Sequence, residues 1–105
     1  MFFENYPQHA DKQLNKALLW EYDPQKVDYD RMRNIVVQRV IERGWPNDWY
    51  FILNHYGLDN VKSTIKDISY LNDKDMSFVS EVFGIPLTEM KCYEQKRSTA
   101  RHWNS

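Results

Sequence analysis

The sequence predicts an all-α fold, a single compact domain of five or six helices. Apolar residues recur at spacings of three and four along most of the chain from Asp11 onward, which is the signature of amphipathic helices. The three glycines, Gly44, Gly57 and Gly84, each follow such a stretch, and Pro46 and Pro86 come two residues after a glycine, so helix stop and start signals alternate. At 105 residues the chain is one domain by length, able to bury roughly 60 to 70% of its unfolded surface.

Composition narrows the function classes. Four tryptophans, seven tyrosines and five phenylalanines among 42% hydrophobic residues favour a packed core over disorder. A formal net charge of -1 argues against a protein that coats nucleic acid by charge alone. The single cysteine, Cys92, has no internal disulfide partner. No apolar run approaches the roughly 18 to 20 residues that span a bilayer. The opening MFFENYPQHADK lacks the basic and apolar regions of a secretion signal, so the expected location is the cytoplasm with no membrane contact.

Residues 1–10 read as an N-terminal arm, ordered only if the rings of Phe2, Phe3 and Tyr6 find a groove. The helical domain then runs over 11–95. Asp11 is expected to cap a short helix whose Leu14, Ala17 and Leu18 share a face and which ends near Trp20, before Asp23-Pro24. Asp28 is expected to open the longest helix, ending at Arg43. Its Tyr29, Met32, Val36, Val37 and Val40 form a broad apolar arc widened by Ile35 and Ile41, which makes it the central helix of the core. A third helix follows Gly44-Trp45-Pro46 and buries Trp49, Ile52, Leu53 and Tyr56, with His55 in its last turn. Asp59 is expected to cap a fourth, with Val61, Ile65 and Ile68 inward and Lys62, Lys66 and Asp67 outward.

The stretch Leu71 to Tyr93 resembles the order of a helix-turn-helix unit. Asn72 and Asp75 have the spacing of a capped start, and Leu71 can staple onto Met76. Gly84 stops the first helix and Pro86 is expected to open the second directly. Met76, Val79, Phe83, Ile85, Met90 and Tyr93 are the expected anchors. All three glycines are expected in left-handed conformations at helix ends. Residues 96–105 read as a polar, basic tail in which Trp103 stands apart.

No spacing promises catalysis. His9, His55 and His102 fall in an arm, a helix end and a tail, and no cluster has metal-ligand spacing or the form of a phosphate loop. Helical period sets Cys92 beside Glu89 and Lys96, which suits an inert, partly buried thiol. Catalytic, cofactor-binding and metal residues are therefore expected to be none, and the protein is expected not to be an enzyme. For DNA, Thr88, Lys91, Gln95, Lys96 and Arg97 are the candidate contacts of a recognition helix, opposed by Glu89 and Glu94 on the same helix. For a protein partner, Trp20 and Tyr22 supply rings of the type found at interface hot spots, while Glu21, Asp23, Asp28 and Asp30 supply a local negative field. The competing reading buries Trp20 in the core and leaves the acids as caps.

Leu18-Leu19-Trp20-Glu21-Tyr22-Asp23, Val40-Ile41-Glu42-Arg43-Gly44, Tyr56-Gly57, Phe83-Gly84-Ile85-Pro86 and Cys92-Tyr93 resemble a family of short uncharacterised bacterial proteins bearing a Leu-Leu-Trp-x-Tyr-Asp motif. The resemblance implies a small helical domain without assigned activity, often encoded beside abortive-infection nucleotidyltransferase toxins, as antitoxins are. The chain departs from the pattern at Gly44-Trp45-Pro46 and Met76-Ser77-Phe78. The expected function is a non-catalytic protein-binding module, most concretely the antitoxin of a nucleotidyltransferase-type toxin. The alternative is a helix-turn-helix regulator acting on its own promoter.

Overall fold

The computed structural model describes residues 3–23 and 25–94. Among the described residues the chain is a single all-α domain of five helices. Helices α1 (Arg33–Arg43), α2 (Pro46–Tyr56), α3 (Leu58–Asp67) and α4 (Asp73–Phe83) are joined by short connections, and a fifth is entered at residue 91. Among the described residues three 3-10 turns accompany them, at Tyr6–His9, Lys16–Leu19 and Leu87–Glu89.

The central position expected for α1 is observed. It buries Val36, Val37, Val40 and Ile41 and touches α2, α3, α4 and the turn at Lys16–Leu19. Asp28 does not open it: the N-cap is Met32, without a side-chain cap bond, and Asp28 Oδ1 accepts instead from the backbone N–H groups of Asp30 (3.1 Å) and Arg31 (3.2 Å) in the preceding turn. The regular helix begins at Arg33, because that side-chain bonding holds residues 29–32 as a turn. Ile35, on the rim of the apolar arc, is 36% exposed.

The buried face of α2 is Trp49, Ile52, Leu53 and Tyr56 together with Asp48. Helix α3 buries Val61 and Ile65 and adds Thr64, whose hydroxyl donates to the Asn60 carbonyl at 2.7 Å. Its N-cap is Gly57, and Asp59 lies in the first turn with no side-chain cap bond, so the expected Asp59 cap is replaced by a direct continuation from α2. In α4, Asn72 accepts from the Asp75 N–H at 2.8 Å as its spacing predicts. Met76, Val79, Phe83, Ile85 and Met90 join one core, and Tyr93 packs against it partly buried.

Two local expectations are corrected. The helix sought from Asp11 is a single 3-10 turn at Lys16–Leu19 capped by Asn15, whose side chain accepts from Ala17 N–H at 3.0 Å. Residues 12–15 lie outside any helix because the Asn15 backbone N–H is tied to Asp48 of α2. Pro86 likewise does not start a long helix. It precedes the 3-10 turn Leu87–Glu89, Met90 is extended (φ -93°, ψ 127°), and helix resumes only at residue 91. The Ser80 hydroxyl donates to the Ile85 carbonyl at 2.7 Å, and Met90 buries completely; both constraints hold the link open. The link from Gly84 to Met90 is longer than the 3–4-residue turn typical of a helix-turn-helix unit.

The glycines divide. Gly84 is left-handed (φ 64°, ψ 34°) and Gly57 has φ 87° with extended ψ, but Gly44 is extended at φ -75°, ψ 153°. Gly44 is required for space instead of conformation: a Cβ there would lie 2.5 Å from the Val40 carbonyl oxygen. Gly44→Ala is therefore expected to cost about 2 kcal/mol through overpacking against backbone. Gly84→Ala, where nothing stands within 4 Å, is expected to cost only the roughly 1 kcal/mol of a strained positive φ. Urea unfolding of both variants checks the order; a smaller loss at Gly44 than at Gly84 would contradict it.

Candidate protein-binding surface

The Lys16–Leu19 turn buries Leu18 and Leu19 against the core, and this sets the direction of the next residue. Trp20 is turned outward and is 75% exposed, so the reading that buried it in the core is set aside. Residues on either side of it are held. Arg39 of α1 donates through Nη1 to the Leu18 carbonyl at 3.0 Å and through Nη2 to the Glu21 carboxylate. The Arg39 hydrogen bond holds the Glu21 carboxyl below the usual carboxylate range. Tyr22 is half-buried against the core.

The acids further along are local turn-formers that keep their charge at the surface. Asp23 Oδ1 accepts from Gln25 N–H at 3.0 Å, Asp28 caps the turn into α1, and Asp23, Asp28 and Asp30 are all exposed. The six residues named for a protein partner thus lie on one continuous segment with the largest ring outermost.

The phenol of Tyr56 donates to the Tyr29 carbonyl at 2.6 Å. Burial, together with the nearby charges of Asp30, Tyr29 and Asp28, raises its pKa above the ordinary 10.0. The folded state therefore holds this proton more tightly than the unfolded chain, and that stability is fully present below about pH 10 and is lost as pH rises beyond it. Urea midpoints are expected to decline above about pH 10 in the parent and to decline less in Tyr56→Phe. Equal declines would show that other groups control alkaline unfolding.

Sequence pattern does not single out Trp45 or Asp48. Trp45 is 72% exposed, because as the residue before Pro46 at the head of α2 its backbone is extended (φ -97°, ψ 169°). Asp48 is 2% exposed, and its carboxylate accepts from two backbone N–H groups, Trp45 and Asn15, each at 2.8 Å. The first bond completes the cap of α2. The second fastens the segment before Trp20 to the segment bearing Trp45. The only local signal is an aspartate three residues into a Pro-initiated helix, which indicates a cap and says nothing about Asn15.

A concavity is lined in part by Tyr29 of this segment. It measures about 660 Å³ and is lined by residues 10–14, Lys16, Tyr29, Phe51, Asn54 and His55. His55 is exposed and its ring stacks on Phe51 at 5.4 Å and 10°, with Tyr29 edge-on at 5.5 Å. His9 stacks on Tyr50 at 4.2 Å. No group of three or more His, Cys, Asp or Glu side chains among the described residues could hold a metal ion.

Of the DNA candidates, Thr88 is exposed in the Leu87–Glu89 turn and Lys91 is exposed on the helical residues after it. Gln95, Lys96 and Arg97 lie outside the described residues, as do Arg101, His102 and Trp103. Glu89 pairs with Lys66 of α3 at 2.9 Å. Cys92 is 1% exposed, more deeply buried than its spacing suggested. No helix among the described residues is long and apolar enough to cross a membrane.

The fold and this surface define a small helical domain that presents a braced, aromatic and acidic edge. Residues 14–65 match the model of a family of unknown function, DUF6922. That span contains the Trp20 to Asp30 segment, Trp45, Asp48 and most of the concavity, and it stops before α4 and the Gly84 turn. No curated protein and no solved structure gives a significant match.

Proposed function

We propose that the chain is a non-catalytic protein-binding module, most concretely a cytoplasmic antitoxin that masks a nucleotidyltransferase-type toxin. The observation that carries the reading is Trp20, 75% exposed between Leu18 and Glu21, both of which bond Arg39 of the central helix. A large ring held out on an ordered segment loses little conformational freedom on binding, which is the property of an interface anchor. Glu21, Asp23, Asp28 and Asp30 beside it suit a basic partner, and a site that holds a nucleoside triphosphate is basic by necessity. The antitoxin identity itself rests on the Leu18 to Asp23 resemblance.

Coexpression with the product of the adjacent gene, followed by copurification, tests the reading. Trp20→Ala is expected to weaken the complex by about 2 kcal/mol, roughly 30-fold, as truncation of a hot-spot residue does. Asp23→Asn with Asp28→Asn keeps both Oδ1 acceptors while removing two charges, so association is expected to slow and its salt dependence to flatten. An unchanged affinity in Trp20→Ala with an intact fold would sink the proposal. Salt-dependent binding to the chain's own promoter, weakened by Lys91→Ala, would instead support the regulator alternative.

A further inference from the structure

We infer that the concavity between residues 10–16 and α2 is a binding site for a nucleoside phosphate whose base carries an exocyclic amine. Its volume of about 660 Å³ is within the range of small-molecule sites. The lining supplies the three groups such a ligand requires, each from a different part of the chain. The first is an aromatic wall: Phe51 and His55, one helical turn apart on α2, stack on each other at 5.4 Å and 10°, and His55 is exposed. Tyr29 closes the edge of both at 5.5 Å. A flat heteroaromatic ring is favoured against such a surface, and base-aromatic stacking is sequence-tolerant.

The second group is a fixed acceptor. The Asn54 amide nitrogen donates to both the Tyr6 and Tyr50 carbonyls at 2.8 Å each. Two carbonyl partners determine which end of the amide is NH2. The Oδ1 therefore faces elsewhere, and it has no donor among the described residues although Asn54 lines the concavity. An acceptor held in this way discriminates for a base N–H and against a base carbonyl.

The third group is charge. Lys12 and Lys16 line the concavity, and among the lining residues only Asp11, 79% exposed and 4.0 Å from Lys12, opposes them. Two ammonium groups in a concavity with an aromatic wall fit a phosphate attached to the stacked base. The site is separate from the Trp20 surface and does not depend on the toxin-binding reading; Tyr29 alone is shared with the acidic segment.

The test is a titration of the ¹⁵N-labelled full chain with adenosine monophosphate, inosine monophosphate and adenosine, followed by NMR. Adenosine monophosphate is expected to shift amides of residues 10–16, 29 and 51–55 with a submillimolar Kd. Inosine monophosphate, which places a carbonyl where adenine has its amine, is expected to bind at least about tenfold more weakly. Adenosine is expected to lose about tenfold for want of phosphate, and Lys12→Ala with Lys16→Ala to weaken the monophosphate to the adenosine level without changing adenosine itself. His55→Ala, at an exposed position, is expected to weaken both by about tenfold. No shifts at about 10 mM adenosine monophosphate, shifts located elsewhere, or equal affinity for the inosine analogue would each overturn the assignment.

Discussion

Replacing Asp48 by alanine is expected to remove about 3 to 4 kcal/mol of stability, since each hydrogen bond from a backbone N–H to a charged carboxylate contributes about 1.5 to 3 kcal/mol. The carboxylate is 2% exposed and serves two donors at 2.8 Å, Trp45 N–H and Asn15 N–H. Alanine would leave both without an acceptor and uncap α2 at its first turn. For a domain whose whole stability is of order 5 to 15 kcal/mol, that loss shows plainly in urea unfolding. Asp48→Asn is expected to cost less, because one amide oxygen can still accept while the NH2 faces the other donor. Hydrogen exchange separates the two bonds: faster exchange at Asn15 and Ala17 reports release of the segment before Trp20, and faster exchange at Trp45 reports the lost cap. A loss below about 1 kcal/mol in the alanine variant would mean that this buried carboxylate does not fasten the two segments.

Phe3→Ala is expected to cost about 3 kcal/mol, the lower range for deleting a buried phenylalanine ring. Phe3 is 2% exposed, stacks on Trp49 at 5.2 Å and 19°, meets Tyr50 edge-on at 5.9 Å, and lies 6.4 Å from Phe83. It therefore bridges α2 and α4 from a position in the N-terminal arm. The arm has further attachments in the Asn54 bond to Tyr6 and the stacking of His9 on Tyr50. Removing the ring is expected to speed exchange of the Tyr6 and Gln8 amides, which bond to Phe3 and Asn5 carbonyls at 3.0 Å. Wild-type stability with unchanged exchange at those two amides would show that the arm is held without its ring.

What could be read from the chain was whatever depends on neighbours three and four residues away. The buried faces of α1 and α2, the Asn72 cap and the helix ends at Gly44, Gly57 and Gly84 all belong to that class. Even there, one position can satisfy a pattern for a different reason. Gly44 follows its helix with an extended backbone, and glycine is needed there because a Cβ would strike Val40 and not because φ is positive.

Features that depend on where distant segments cross were decided by tertiary structure. Asp48 reads as an ordinary cap until Asn15, remote in sequence, donates to its second oxygen. Asp11 and Pro86 both carry start signals, yet neither opens a long helix: Asn15 N–H is tied to Asp48 of α2 in one place, and in the other Met90 is buried with an extended backbone. The outward turn of Trp20 is tertiary as well. Its neighbours Leu18 and Leu19 take the core and Arg39 holds the Leu18 carbonyl, while the larger ring stays outside. By itself the sequence determined an all-α domain, most of its buried faces and most of its punctuation, since helix periodicity and capping are energies of contacts within one turn. The exposed tryptophan, the carboxylate that fastens two segments and the aromatic concavity were settled only by packing, since each needs groups far apart in the chain to meet at distances that no local pattern encodes.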